Sequence, residues 1–311
     1  RGLGDVYKRQ EEMYICSSHD NLLFISNFGT MYKLKCYELP EGSKASKGTN
    51  IVNMLPLREN EKIAAMIKTA DFDAGKSLVF CTKNGKIKRT DLSSYKNVRK
   101  GGLIAIGLDD GDEIAGVRMT GGDSELIIAT KMGMAIRVNE NNIRAMSRSA
   151  HGVKAIKLRN GDTVVSMARV REGASVLTVT EKGLGRKTEL DAYRIQNRGG
   201  SGLKNYRCKD GDFVCGIKVI DDEDDIIMIS SDGVIIRLRA ADIRPMGRYA
   251  RGVRLMRVSD DNRVVAFTRA EHDDSAEVAQ VEDTEQEDDD ISEAELLEEE
   301  RQLEEIDASE D

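Results

Sequence analysis

Glycine recurs along this chain at a spacing that narrows its architecture more than any other feature. Gly133, Gly183 and Gly233 lie 50 residues apart, and Gly29 and Gly85 hold the same place in two earlier units. Each sits in a short turn after an apolar, β-rich run: LLFIS, SLVFCT, LIIAT, VLTVT and IIMISS. A mixed run follows each turn, as in NFGTMYKLK, KNGKIKRTD and KMGMAIRVN. This is the pattern of a β-hairpin. A second glycine follows in each unit, at Gly48, Gly102, Gly152, Gly202 and Gly252, the last four again 50 apart. Behind it come a third run (GVKAIKL, GLKNYRC, GVRLMRV), a polar turn (LDDGDE, LRNGDT, CKDGDF) and a fourth run.

The unit therefore reads strand, tight turn, strand, basic connector, strand, Gly-Asp turn, strand. Four short strands repeated in this way predict an all-β, β-propeller-like fold of four-stranded blades. One blade cannot bury both its faces, so blades have to pack against one another around a ring. Five units are visible between residues 20 and 270. The Gly-Asp turns lack the alternating oxygen ligands and acidic clasp of a calcium loop, and they read as structural.

Charge is split along the sequence. Residues 271–311 hold 21 Asp and Glu against one Arg, a net −20, whereas residues 1–270 carry a net +12. A basic body points to a polyanionic partner, and an acidic tail can mimic one. Aromatic content is only 5% and Trp is absent, which excludes large base-stacking platforms. Cys16, Cys36, Cys81, Cys208 and Cys215 form no Cys-x-x-Cys pair, so a disulfide framework or zinc site is not expected and a reducing cytoplasm is the natural compartment. The three His are scattered, and no apolar run is long enough to span a membrane. No Walker A, Gly-x-Ser-x-Gly or metal-spaced His pair occurs, so no catalytic residue and no cofactor is assigned to this chain.

Lysine and arginine recur at matching places. One set follows the first turn: Lys33 and Lys35; Lys86, Lys88 and Arg89; Arg137; Arg186 and Lys187; Arg237 and Arg239. A second set precedes the second glycine: Lys44 and Lys47; Arg99 and Lys100; Arg148; Arg198; Arg248 and Arg251. Repeated positions in a ring form a band, which suits a long curved polyanion such as duplex DNA, with little direct base readout. The alternative is that these cations only protect strand edges from aggregation.

Two ends depart from the repeat. The first ten residues, RGLGDVYKRQ, match no part of it and read as a non-native or misassembled start, with EEMYICSSHD as the last strand of a preceding, mostly missing blade. The domain is therefore placed at 11–270. The tail at 271–311 is expected to be disordered, with a short helix at 293–306 signalled by the capping box of Ser292 and Glu295.

Several ordered motifs carry a resemblance: HDNLLFISNFGTMYKLKCYELP, GTNIVNMLPL, LDDGDEIAG and DIRPMGRYARGVRLMRV. They are similar to the C-terminal domain of DNA gyrase A, part of a type IIA topoisomerase, across most of the chain. That resemblance implies a six-bladed β-pinwheel in which blades exchange strands. It implies DNA wrapping around a basic rim in support of ATP-dependent negative supercoiling. ATP and Mg would be used elsewhere, by the gyrase A core and gyrase B, and the acidic tail would compete with DNA. The family's signature box, Q-R-R-G-G-x-G, has its nearest match at Gln196, Asn197, Arg198, Gly199, Gly200, Ser201 and Gly202, followed by Lys204. The match departs at Asn197 and Ser201 and reads as the box's repeat-equivalent. The topoisomerase IV counterpart and a propeller-type protein scaffold are the alternative readings.

Overall fold

The computed structural model describes residues 16–42, 49–72, 75–209, 211–272, 278–281, 298 and 301–302. The expected start at 1–10, residues 11–15 of the preceding strand, Lys44, Lys47, Gly48 and nearly all of the 293–306 helix lie outside them. Within the described residues, Cys16 to Asp20 forms a turn.

Each repeat opens with an antiparallel hairpin: Asn21–Ser26 with Thr30–Lys35, Ser77–Thr82 with Lys86–Asp91, Glu125–Thr130 with Met134–Asn139, Ser175–Thr180 with Leu184–Glu189, and Asp224–Ser230 with Ile235–Arg239. The first strand of each hairpin is buried on nearly every residue. It lies between neighbours in its own sheet with both faces covered. This explains why these strands read as unbroken apolar runs and do not alternate. The hydroxyl at the strand end caps the turn. Ser26, Thr82, Thr130 and Thr180 each accept from the amide four residues on, at 3.1–3.2 Å.

The third strand leaves its own repeat. Leu103–Ile104 joins Thr30–Lys35, Val153–Lys154 joins Lys86–Asp91, Leu203–Lys204 joins Met134–Asn139, and Val253–Arg254 joins Leu184–Glu189. Each therefore completes the sheet of the repeat before it. The fourth strand returns to its own hairpin, beside the first strand. Its pairing carries a register shift at the same place in each sheet, such as Cys81/Thr82, Val179/Thr180 and Ile229/Ser230. The strand exchange implied by the resemblance is thus present: each of these four sheets is completed by the following repeat. Four sheets have four strands, and the fifth, among the described residues, has three: Ile235–Arg239, Asp224–Ser230 and Val264–Glu271.

The chain divides into two compact units. Tyr14–Ser124 with Asn139–Ala155 holds the first two sheets, whose core joins Leu23, Ile25 and Ile67 to Phe80, Leu92 and Tyr95. The other unit holds the last three sheets. Ile127, Ala129 and Val176 share one cluster there, and Leu177, Val179, Met228 and Leu238 share another. Within each unit, neighbouring sheets thus bury each other's faces.

Glycine is required where the swapped strand meets the hairpin. Gly183 has φ +82, and a Cβ on it would stand 2.1 Å from the Met256 carbonyl oxygen. Leu255 and Met256 both donate to the Gly183 carbonyl at 2.9 and 3.0 Å, so backbone lies directly on backbone.

Candidate nucleic-acid interface

Between the second strand of a hairpin and the swapped strand runs a basic connector. It begins with a 3-10 turn, at Leu92–Tyr95, Glu140–Asn142, Leu190–Ala192 and Ala240–Asp242. It then lies along the outer strand of the preceding sheet. Met146, Gln196 and Met246 donate their amides to the carbonyls of Arg89, Arg137 and Lys187, each at 2.8 Å. The stretch QNRGGSG is one such connector. Gly202 (φ +77) closes it, and a Cβ there would lie 2.5 Å from the Ala135 carbonyl oxygen. Its three glycines, Gly199, Gly200 and Gly202, shape the chain, and Arg198 is the exposed cation.

The basic residues predicted for one band fall into two sets. The first set ranges from buried to half-buried. Lys88, Arg186 and Lys187 are buried. Lys88 Nζ donates to the carbonyls of Ala105 (2.6 Å), Ser147 (3.2 Å) and Arg148. Burial, and then the Arg148 charge, brings its ammonium down to about 7. Arg186 donates to the carbonyls of Arg248, Ala250 (2.7 Å) and Asn205, and to the Thr188 hydroxyl (2.9 Å). Burial lowers its pKa as well. Lys187 Nζ reaches the Ala240 carbonyl and Asp222, both at 2.8 Å. Arg137 holds the carbonyls of Leu190 (2.9 Å) and Tyr193 (3.0 Å) and pairs with Glu125. Lys33 donates to the Lys96 carbonyl at 2.9 Å, and Arg89 stands 3.8 Å from the buried Glu140. Arg237 pairs with the buried Asp225 at 2.6 Å.

Each of these side chains is engaged within the fold. They satisfy carbonyls and carboxylates of the 3-10 turns and connectors. Lys35 and Lys86 are half-buried and are held by the His19 carbonyl (3.0 Å) and by Asp109. Arg239 is half-buried on the last hairpin.

The second set faces out. Arg99, Lys100, Arg198 and Arg251 are exposed, and Arg148, Arg248 and Lys204 are half-buried. Arg248 donates to the Lys204 carbonyl at 2.9 Å, and its guanidinium stands over the rings of Tyr249 (5.0 Å) and Tyr193 (5.9 Å). Gln196 is half-buried and holds the connector by its amide. Sequence reasoning missed a further series. Lys96, Arg144, Arg194 and Arg244 are all exposed, each one to two residues beyond the 3-10 turn. Exposed Lys154 and half-buried Arg254 extend it on the swapped strands, as Lys204 does. The signal was present, because Arg144, Arg194 and Arg244 are themselves 50 residues apart.

The Gly-Asp turns are structural, as read. Asp112, Asp162 and Asp212 are buried, and one oxygen of each accepts two amides: Asn84 and Glu113, Met132 and Thr163, Lys182 and Phe213, at 2.8–3.0 Å. Among the described residues no group of three or more His, Cys, Asp or Glu could hold a metal ion.

Strand-exchanged four-stranded antiparallel sheets, repeated along the chain, define a β-propeller-type repeat protein whose connectors carry cations at recurring positions. The chain belongs to the DNA gyrase C-terminal domain, beta-propeller, family, which it matches at residues 20–70, 76–120, 124–171, 174–221 and 224–271. It is 54% identical over 144 residues to the DNA gyrase A protein of Clostridium acetobutylicum, and 46% identical over 144 residues to that of Halalkalibacterium halodurans. Each alignment covers 46% of this chain and 17% of the relative, so the chain spans a small part of those proteins. Among solved structures, the C-terminal domain of DNA topoisomerase IV matches with a TM-score of 0.76 at 28% identity, covering 82% of this chain and 80% of that one. The DNA gyrase A C-terminal domain matches with 0.71 at 26%, covering 82% and 83%.

Proposed function

We propose that this chain is the non-catalytic DNA-binding and wrapping part of a DNA gyrase A protein. It bends duplex DNA along its basic connectors and so supports ATP-dependent negative supercoiling by the holoenzyme. The observation that carries this reading is the recurrence of exposed cations at one connector position, Arg144, Arg194 and Arg244, four residues before Arg148, Arg198 and Arg248. Duplex DNA presents a charge about every 1.7 Å of axis, and a cation repeated at one connector position can neutralise a phosphate at each occurrence. The described connectors offer the grooves no recognition helix, so binding rests on backbone and bendability.

The remaining machinery belongs to other parts of the enzyme in this reading: the gyrase A core, and gyrase B with its ATP and Mg. The setting is the bacterial cytoplasm, on the chromosome. The acidic tail, net −20 at 271–311, competes with DNA for the connectors. The topoisomerase IV likeness favours a second reading, a domain that binds DNA and wraps it weakly.

Binding measured against duplex length tests the proposal. Affinity is expected to rise from short oligomers to wrap-sized DNA. The log–log salt slope is expected near −7 for about eight phosphates neutralised. Affinity that does not change with length refutes wrapping. Deleting residues 282–311 is expected to tighten binding at low salt, and unchanged affinity removes the tail's role.

A further inference from the structure

Among the described residues, the last sheet has three strands and no swapped strand of the kind that completes the other four. The place of a connector beside it is filled in part nevertheless. The Ala279 amide donates to the Arg237 carbonyl at 2.7 Å. Arg237 is the counterpart of Arg89, Arg137 and Lys187, whose carbonyls receive the amides of Met146, Gln196 and Met246. In those three sheets the preceding residue, Ala145, Ile195 or Pro245, forms a parallel bridge to the same position. Ala279 and Val281 also pack on the core cluster that contains Ile226, Met228 and Leu238. Val278, Ala279 and Val281 are half-buried, while Gln280 is exposed.

We infer that residues 278–281 are an intramolecular strap, a surrogate connector that caps the outer edge of the last hairpin. A bare strand edge invites pairing with another chain, and a short apolar segment with one backbone bond suppresses this. The strap is the one short apolar stretch in the sequence between 273 and 290. It matches the connectors in its amide bond and in its apolar packing. It does not match them in charge. Arg144, Arg194 and Arg244 stand two residues before the bonded amide in the repeats, and Glu277 holds that place in the sequence here, with Glu282 and Asp283 just beyond the strap. The strap therefore anchors an acidic sequence at a position where these three connectors are basic. Its coverage is partial: Val234, just before the strand, and Ile235, its first residue, remain 48% and 62% exposed.

Residue-resolved hydrogen exchange on the full chain without DNA tests the strap separately from the DNA-binding proposal. The Ala279 amide is expected to exchange at least about tenfold more slowly than in an unstructured peptide. Val281→Asp is expected to abolish that protection while the amides of Asp224–Ser230 stay protected. Exchange of Ala279 at the unstructured rate in the unsubstituted chain, or protection that survives Val281→Asp, would overturn the inference.

Discussion

Arg186 holds Arg248 by its backbone. The buried guanidinium of one donates to the main-chain carbonyl of the other, 62 residues further along, while the Arg248 side chain lies over Tyr249 and stays half-exposed. A cation inside the sheet thus fixes the connector from which another cation is presented. Arg186→Met is expected to leave the carbonyls of Asn205, Arg248 and Ala250 without that donor. The expected loss is about 2–4 kcal/mol of stability, read as a lower denaturation midpoint. Arg198→Ala, on the exposed side, is expected to change stability by less than about 0.5 kcal/mol.

Gly183 admits no side chain. Its positive φ opposes one, and so does the Met256 carbonyl oxygen, 2.1 Å from where a Cβ would stand. Gly183→Val is expected to displace the swapped strand Val253–Arg254 and to cost roughly 3 kcal/mol or more, since strain and a backbone clash act together. Circular dichroism melting checks this, with Gly211→Ala as control. Gly211 also has a positive φ (+70), but nothing lies within 4 Å of its Cβ position.

The exposed series separates binding from folding. Arg144, Arg194 and Arg244 replaced together by Ala are expected to leave the melting temperature nearly unchanged. They are expected to weaken DNA binding and flatten the salt slope by about 0.9 for each phosphate no longer neutralised. Fluorescence anisotropy at several salt concentrations measures both effects.

Lys88 makes stability depend on pH. Its folded-state pKa, about 7, lies below the ordinary 10.5. Below pH 7 both folded and unfolded chains carry the proton, and the cost of burying the charge is present in full. Between about 7 and 10.5 the unfolded chain binds more protons, so stability contributed at this site rises with pH. The slope for one proton is at most about 1.4 kcal/mol per pH unit. Urea midpoints at pH 7 and 9 are expected to diverge between the unsubstituted protein and Lys88→Met, with the unsubstituted protein gaining.

Much of this protein is determined by its sequence alone. Glycines at 133, 183 and 233, and at 152, 202 and 252, announce the repeat because all six take a positive φ that other residues resist. At 183 and 252 a carbonyl also occupies the place of a Cβ. The apolar runs announce hairpins, and the Gly-Asp dipeptides announce capped turns, because each depends on neighbours a few residues away. Which sheet receives a strand is a different matter. Val253–Arg254 looks the same in sequence whether it pairs within its own repeat or with Leu184–Glu189. The direction of each cation is likewise undecided locally. Lys88 and Arg186 resemble Arg144 and Arg194 in a linear reading, yet the first two meet carbonyls of connectors about 60 residues away and the others face solvent. Tertiary structure decides this, because the acceptors that draw a charge inward are assembled only when one repeat folds onto the next.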